Sequence, residues 1–184
     1  MSPLILAAIL ALCVIRSQPS YVSSNQGSCP DVQTDSVAGV EGRWYMMYAN
    51  VRIPTVKCTY GDILNIGNGT FLSKVVVDLY NGTSLNITST IKKDSDGKYY
   101  DTYVNSEGKV RHDLTMMKIE DDYLLSWLCI HYEHGRIFEH ASIHSKTLEK
   151  RDNSNDIVLK FDKILKERNS AAGQFYEVDD CSAK

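Results

Sequence analysis

The chain has 184 residues, five cysteines and a net charge of −3, with 23% charged and 43% hydrophobic residues. That length accommodates one domain with a sizeable core. The acidic balance, with Lys and Arg scattered rather than clustered, argues against a nucleic-acid partner, which demands a basic face.

Leu4 through Ile15 form an apolar run containing small alanines and Cys13. It is far shorter than the roughly 20 residues that cross a bilayer. Ser17, Ser20, Ser23 and Ser24 follow it, as expected near a signal-peptidase site. Residues 1–20 therefore read as a signal peptide, cut after Cys13, Ser17 or Ser20, and 21–184 as a single domain. A short buried N-terminal helix is the alternative. No later apolar run is long enough to span a membrane, so the mature chain is expected to be secreted, extracellular and soluble.

Cys13 leaves with the leader, and Cys29, Cys58, Cys129 and Cys181 remain. An even count in an oxidising compartment suggests two disulfides, with three pairings open. No Cys-x-x-Cys pair points to zinc or to redox chemistry. Three glycosylation sequons begin at Asn68, Asn81 and Asn86. The first two contain Asn-Gly, which is also a favoured hairpin turn.

β-Branched and aromatic runs then follow one another: Arg43–Ala49, Cys58–Ile66, Phe71–Tyr80, Leu85–Ile91, Tyr99–Val104, Leu114–Ile119, Tyr123–Tyr132 and Ile137–His144. Turn signals such as Asn68-Gly69, Asn81-Gly82, Asp96-Gly97, Glu107-Gly108 and His134-Gly135 separate them. Short connections force antiparallel neighbours. The fold class is thus all-β, an eight-stranded antiparallel up-and-down barrel, wide enough for one small ligand. A β-sandwich competes, but it needs a long crossover that the meander has no room for.

The period changes near the C-terminus. Ile157, Val158, Phe161, Ile164 and Leu165 make one apolar stripe of a helix. Asn153 or Ser154 caps its start, Asp156 lies in its first turn, and Lys166 and Arg168 suit its last. This helix is expected to pack on the outside of the barrel, with Gln174–Val178 adding a short final strand.

The ordered set of leader, Cys29-Pro30, Gly42-Arg43-Trp44-Tyr45, eight-strand meander, Asp122-Tyr123 with Cys129, C-terminal helix and Cys181 resembles the lipocalins. It is most similar to their insect bilin-binding and apolipoprotein-D-like branch. The resemblance covers nearly the whole mature chain. It implies that Gly42 and Trp44 mark a closed barrel floor, with a basic residue across it. Lys146 stands where relatives usually carry arginine, and an ordinary surface lysine is the competing reading. It also implies the pairs Cys29–Cys129 and Cys58–Cys181.

Strand parity assigns the interior. If Trp44 points in, Met46 and Tyr48 share its side, and Met46 occupies a position that is often acidic in relatives. In the seventh run, Leu124, Ser126, Leu128 and Ile130 face in and Trp127 faces out. In the eighth, Phe138, His140, Ser142 and His144 share a face, with Ser142 matching a pocket tryptophan of many relatives. Those histidines would add hydrogen-bonding groups or a ligand for a haem iron. A single β-bulge would instead turn both to solvent, and this plainer reading is the favoured one. The segment from Asn50 to Lys57 carries Val51, Ile53, Pro54 and Val56. It reads as a lid over the mouth or, alternatively, as packing on the rim.

The expected function is extracellular carriage of a small hydrophobic ligand: a bile pigment such as biliverdin, a fatty acid, a sterol, a retinoid or a pheromone-like compound. No metal and no obligatory cofactor is expected, and a cell-surface receptor is a candidate partner. The chain is not expected to be an enzyme, since it lacks Gly-x-Ser-x-Gly and His-Glu-x-x-His. The alternatives are a lipocalin-type isomerase using Cys58, or a protein-binding, immune-modulating lipocalin.

Overall fold

The structure, a computed structural model, describes residues 24–32, 34, 36–105, 107–132, 135–149, 154–178 and 181. The expected leader and Asn153 lie outside the described residues. The strands are β1 (Ser24–Gln26), β2 (Gly42–Ala49), β3 (Val56–Gly67), β4 (Thr70–Leu79), β5 (Ser84–Lys93), β6 (Tyr99–Val104), β7 (Val110–Glu120), β8 (Tyr123–His131), β9 (Arg136–Ser145) and β10 (Tyr176–Glu177). One helix, α1 (Ser154–Glu167), lies between β9 and β10.

Each of β2 to β8 pairs antiparallel with the next, and β9 returns to pair with β2. The eight-stranded meander is therefore a closed barrel, and closure removes the edges that an open sheet would expose. Short β1 pairs with the start of β9, and β10 with the end of β2. Neither belongs to the ring.

Two-residue turns set the hairpin geometry. Asn68 and Gly69 have φ of 52° and 67°, and Asp121 and Asp122 have 49° and 65°. Two successive positive φ values match the right-handed twist of the strands a hairpin joins. Asn68, Asn81 and Asn86 are all exposed.

Helix α1 buries Ile157, Phe161 and Leu165 against the outer wall of the barrel. There they join Tyr48, Met116, Tyr123, Leu125, Trp127 and Ile143 in one cluster. Each fully buried side chain of this size contributes about 1.5–3 kcal/mol. The helix ends in a Schellman motif. Asn169 takes φ of 57°, its amide donates to the Lys166 carbonyl at 3.1 Å, and the Ser170 amide donates to the Leu165 carbonyl at 3.0 Å.

The turn after the helix is fastened by Glu139, which is buried on the outer face of β9. Its carboxylate accepts from Trp127 Nε1 at 3.0 Å, from the Ala171 amide at 3.0 Å and from the Ser170 hydroxyl. A buried carboxylate is tolerable only when its oxygens are satisfied in this way.

Disulfides join Cys29 to Cys129 and Cys58 to Cys181, spanning 100 and 123 residues of chain. The first ties the segment before the barrel to β8, and the second ties the tail to β3. No helix among the described residues is long and apolar enough to cross a membrane.

Candidate ligand-binding cavity

The barrel encloses a cavity of about 1040 Å³, to which all eight ring strands contribute side chains. Alternation puts every second residue inside. On β4 these are Ser73, Val75 and Val77; on β5, Ile87, Ser89 and Ile91; on β8, Leu124, Ser126 and Leu128.

The floor is built around Trp44, which is 2% exposed. Its indole Nε1 donates to the Val40 carbonyl at 2.7 Å. It packs with Val40, Ile63, Phe71, Ile91, Tyr99, Met117 and Leu124. Lys146 Nζ lies 4.9 Å from the Trp44 ring centroid, a cation–π contact worth about 0.5–1 kcal/mol at an exposed site. Gly42 opens β2 beneath this floor with φ of 110° and is not among the lining residues.

Gly61 stands opposite Trp44 in the β2–β3 ladder. A Cβ there would lie 2.6 Å from the Lys74 carbonyl oxygen and 3.1 Å from Val75 Cα. The absence of a side chain is what lets β3 and β4 approach beside the floor.

Met46 lines the cavity but Tyr48 does not. The register of β2 against β9 runs from Met46↔His144 to Tyr48↔Ile143, so Met47 is an extra residue in a β-bulge. The bulge reverses parity. Tyr48 turns outward into the cluster beneath α1, and Ala49 takes its place inside. The inward assignment of Tyr48 is therefore corrected.

The bulge expected to upset β9 falls on β2 instead, and β9 keeps its alternation. His140, Ser142 and His144 all line the cavity. Ser142 Oγ and His144 Nε2 are hydrogen-bonded at 2.8 Å, whereas His140 Nε2 is buried without a partner. Burial lowers the pKa of His140 to about 4. Burial, and then the neighbouring His140, lower that of His144 to about 3. Both rings are therefore neutral at pH 7.

Phe138 and Ile130 are paired with each other across β8 and β9. They sit one inward pair beyond Leu128 and His140, where β1 joins β9 at Phe138, and neither lines the cavity. Their assignment to the cavity lining is corrected accordingly.

The mouth is covered in part by Val51, Arg52, Ile53 and Pro54, all of which line the cavity. Asn50 secures the start of this segment. Its backbone amide donates to the Ala141 carbonyl at 2.9 Å, and its Oδ1 accepts from the Ala141 amide at 2.8 Å. Tyr176, Glu177 and Val178 line the rim beside it. The sequence had marked them only as a short strand.

Sequence reasoning missed the polar part of the wall. Asp101 and Tyr103 of β6 and Thr115 of β7 line the cavity, as do Ser89 and Ser73. Burial pushes Asp101 up to about 6, opposed by a hydrogen bond from Ser89 and reinforced by Asp113. Its Oδ1 is buried with no hydrogen-bond partner. Asp113 is satisfied by contrast: Arg111 Nη2 donates at 2.8 Å and Tyr103 Oη at 3.1 Å. The available signal was parity alone, since Asp101 shares a face with Tyr99 and Tyr103. Cys58 is disulfide-bonded and is not among the lining residues.

No protein-family model and no curated protein sequence matches the chain. Solved structures do match. Lobster apocrustacyanin A1 is 20% identical with a TM-score of 0.66, over 90% of this chain and 94% of that one. A dog lipocalin allergen is 13% identical with a TM-score of 0.56, over 80% of this chain and 98% of that one. The amine-binding protein of Rhodnius prolixus, solved as its tryptamine complex, is 17% identical with a TM-score of 0.58, over 84% and 86% of the two chains. At such low identity the likeness speaks for the architecture, and the architecture of this chain is the lipocalin fold.

Proposed function

We propose that this protein is a secreted, non-enzymatic carrier of one small, largely hydrophobic molecule held inside the barrel. The observation that carries the reading is a hollow of about 1040 Å³, closed below by the Trp44 cluster and bordered above by an apolar loop. That volume lies at the top of the roughly 300–1,000 Å³ range of small-molecule sites. Each 100 Å² of apolar ligand surface buried in a preformed hollow contributes about 2.5 kcal/mol. A bile pigment, fatty acid, sterol or retinoid fits by size, and the amine-binding neighbour widens the set. Cys58 is held in a disulfide, which supports binding over thiol-based isomerisation. Export, glycosylation at the exposed Asn68, Asn81 or Asn86, and delivery to a cell-surface receptor belong to the same proposal.

The test is uptake of the neutral fluorophore N-phenyl-1-naphthylamine by the purified protein. Enhanced fluorescence at one site per chain is expected. Ser126→Trp, which fills the hollow from β8, should abolish uptake while the unfolding transition is retained. No uptake by the wild-type protein would refute the carrier reading.

A further inference from the structure

Asp101 is the one carboxylate among the residues lining the barrel wall below the mouth, and its surroundings do not account for it. It stands on β6 between Tyr99 and Tyr103, with Ile91 as its ladder partner on β5 and Asp113 on β7. The basic group nearest this patch, Arg111, is committed to Asp113 through Nη2 at 2.8 Å and Nε at 3.3 Å. Tyr103 Oη also donates to Asp113. Ser89 supplies one hydrogen bond to Asp101, and Oδ1 is left buried and unpaired. The Asp101, Asp113 and Arg111 group thus carries one negative charge more than it can neutralise.

A carboxylate taken out of water without a cation is costly, and such groups are retained where a ligand completes them. We propose that the cavity takes an amphipathic amine, its protonated nitrogen donating to Asp101 Oδ1 and its apolar body lying against Val75, Val77, Met117 and Leu128. This inference rests on the carrier reading and narrows it. The neutral imidazole of His140, unpaired at Nε2, offers a second polar contact elsewhere on the wall. An anionic ligand lying at Asp101 would meet like charge, since Arg111 is already held by Asp113 and the arginine of the lining, Arg52, stands at the mouth. Fatty acids and bile pigments, which carry carboxylates, are therefore disfavoured.

The test uses three matched competitors of N-phenyl-1-naphthylamine at pH 7.5: 4-phenylbutylamine, 4-phenylbutanol and 4-phenylbutanoate. The amine should compete best and the carboxylate worst. A charged hydrogen bond in a dry site corresponds to a preference of roughly ten- to hundredfold for amine over alcohol. In Asp101→Asn that ratio should fall towards one. In the wild-type protein it should also shrink at pH 5, where Asp101 takes up a proton. The groups around Asp101 are Asp113, Arg111, Tyr103 and Ser89, with His140 and His144 on the β9 wall and Arg52 and Glu177 at the mouth, and both histidines are neutral at either pH. Uptake of the fluorophore with no amine preference, or a preference retained in Asp101→Asn and at pH 5, overturns this inference and leaves the carrier reading standing. Absence of fluorophore uptake by the wild-type protein overturns both.

Discussion

Replacing Asp101 with Asn should make the protein more stable at neutral pH, and the gain should vanish in acid. The Asp101 carboxyl titrates near 3.8 in the unfolded chain and at about 6 in the fold, chiefly because it is buried. A folded value above the unfolded one means that the fold holds the proton more tightly. Stability from this group is therefore fully present below 3.8 and lost as pH rises through about 6. The gap is about two pH units, and each unit is worth 1.36 kcal/mol, so the ionised side chain costs about 3 kcal/mol at pH 7.5. Water entering the hollow makes that figure a ceiling. Asparagine has nearly the same shape and never ionises. Urea unfolding with both disulfides intact, followed by the fluorescence of Trp44 and Trp127, measures the difference. Asp101→Asn should exceed the wild type by about 1.5–3 kcal/mol at pH 7.5, and the two should converge towards pH 4. A variant less stable at pH 7.5, or a difference that does not change with pH, would refute the reasoning. A gain in stability alongside a loss of amine preference would show that the carboxylate is kept for its ligand.

The histidines facing the cavity should act in the opposite sense. Their pKa values fall from 6.5 to about 4 and about 3 on folding, so their contribution is present above pH 6.5 and drains away as pH falls, by at most about 1.4 kcal/mol per ring per pH unit. A His140→Gln, His144→Gln double variant should flatten the urea midpoint between pH 6.5 and 4.5, and an unchanged slope would count against burial of neutral rings. Gly61→Ala should cost about 1–3 kcal/mol, because its methyl would press on the Lys74 carbonyl; wild-type thermal stability would sink that claim. Removing the Cys58–Cys181 bridge with paired serines frees a 123-residue loop and should cost about 2–5 kcal/mol in denaturant unfolding. A cost under 1 kcal/mol would mean that the tail is held by β10 and Glu139 alone.

The barrel was legible because its signals are local and repeated. Turn dipeptides and strand alternation placed all eight ring strands, and the apolar stripe from Ile157 to Leu165 placed the helix. Strand β1 was not legible. Three polar residues have no periodicity to read, and their pairing depends on a β9 that is distant in sequence. The floor was readable through Trp44, whereas Gly61 across from it left only the weak signal of a lone glycine inside a strand. Strict parity puts His140 and Ser142 inside, where they lie, but the reading favoured from sequence turned the histidines outward, and parity failed at Tyr48, because a bulge is a two-strand event that one strand's sequence does not display. Asp101 escaped for a chemical reason. In a strand with one wet face, an aspartate reads as the outer surface, but a ligand-holding barrel can place polar groups on its inner wall.

Strand β9 serves two masters on alternate residues. Glu139 and Ile143 hold the exterior helix assembly, while His140, Ser142 and His144 look at the hollow. Adding or deleting one residue between them would exchange the two sets, driving a carboxylate inside and imidazoles under the helix. Point substitution is thus the only gentle way to retune cargo from this strand. Strand β2, whose extra Met47 has already made such an exchange for Tyr48, is one place where the ring has absorbed a change of length, as β3 does near its two ends.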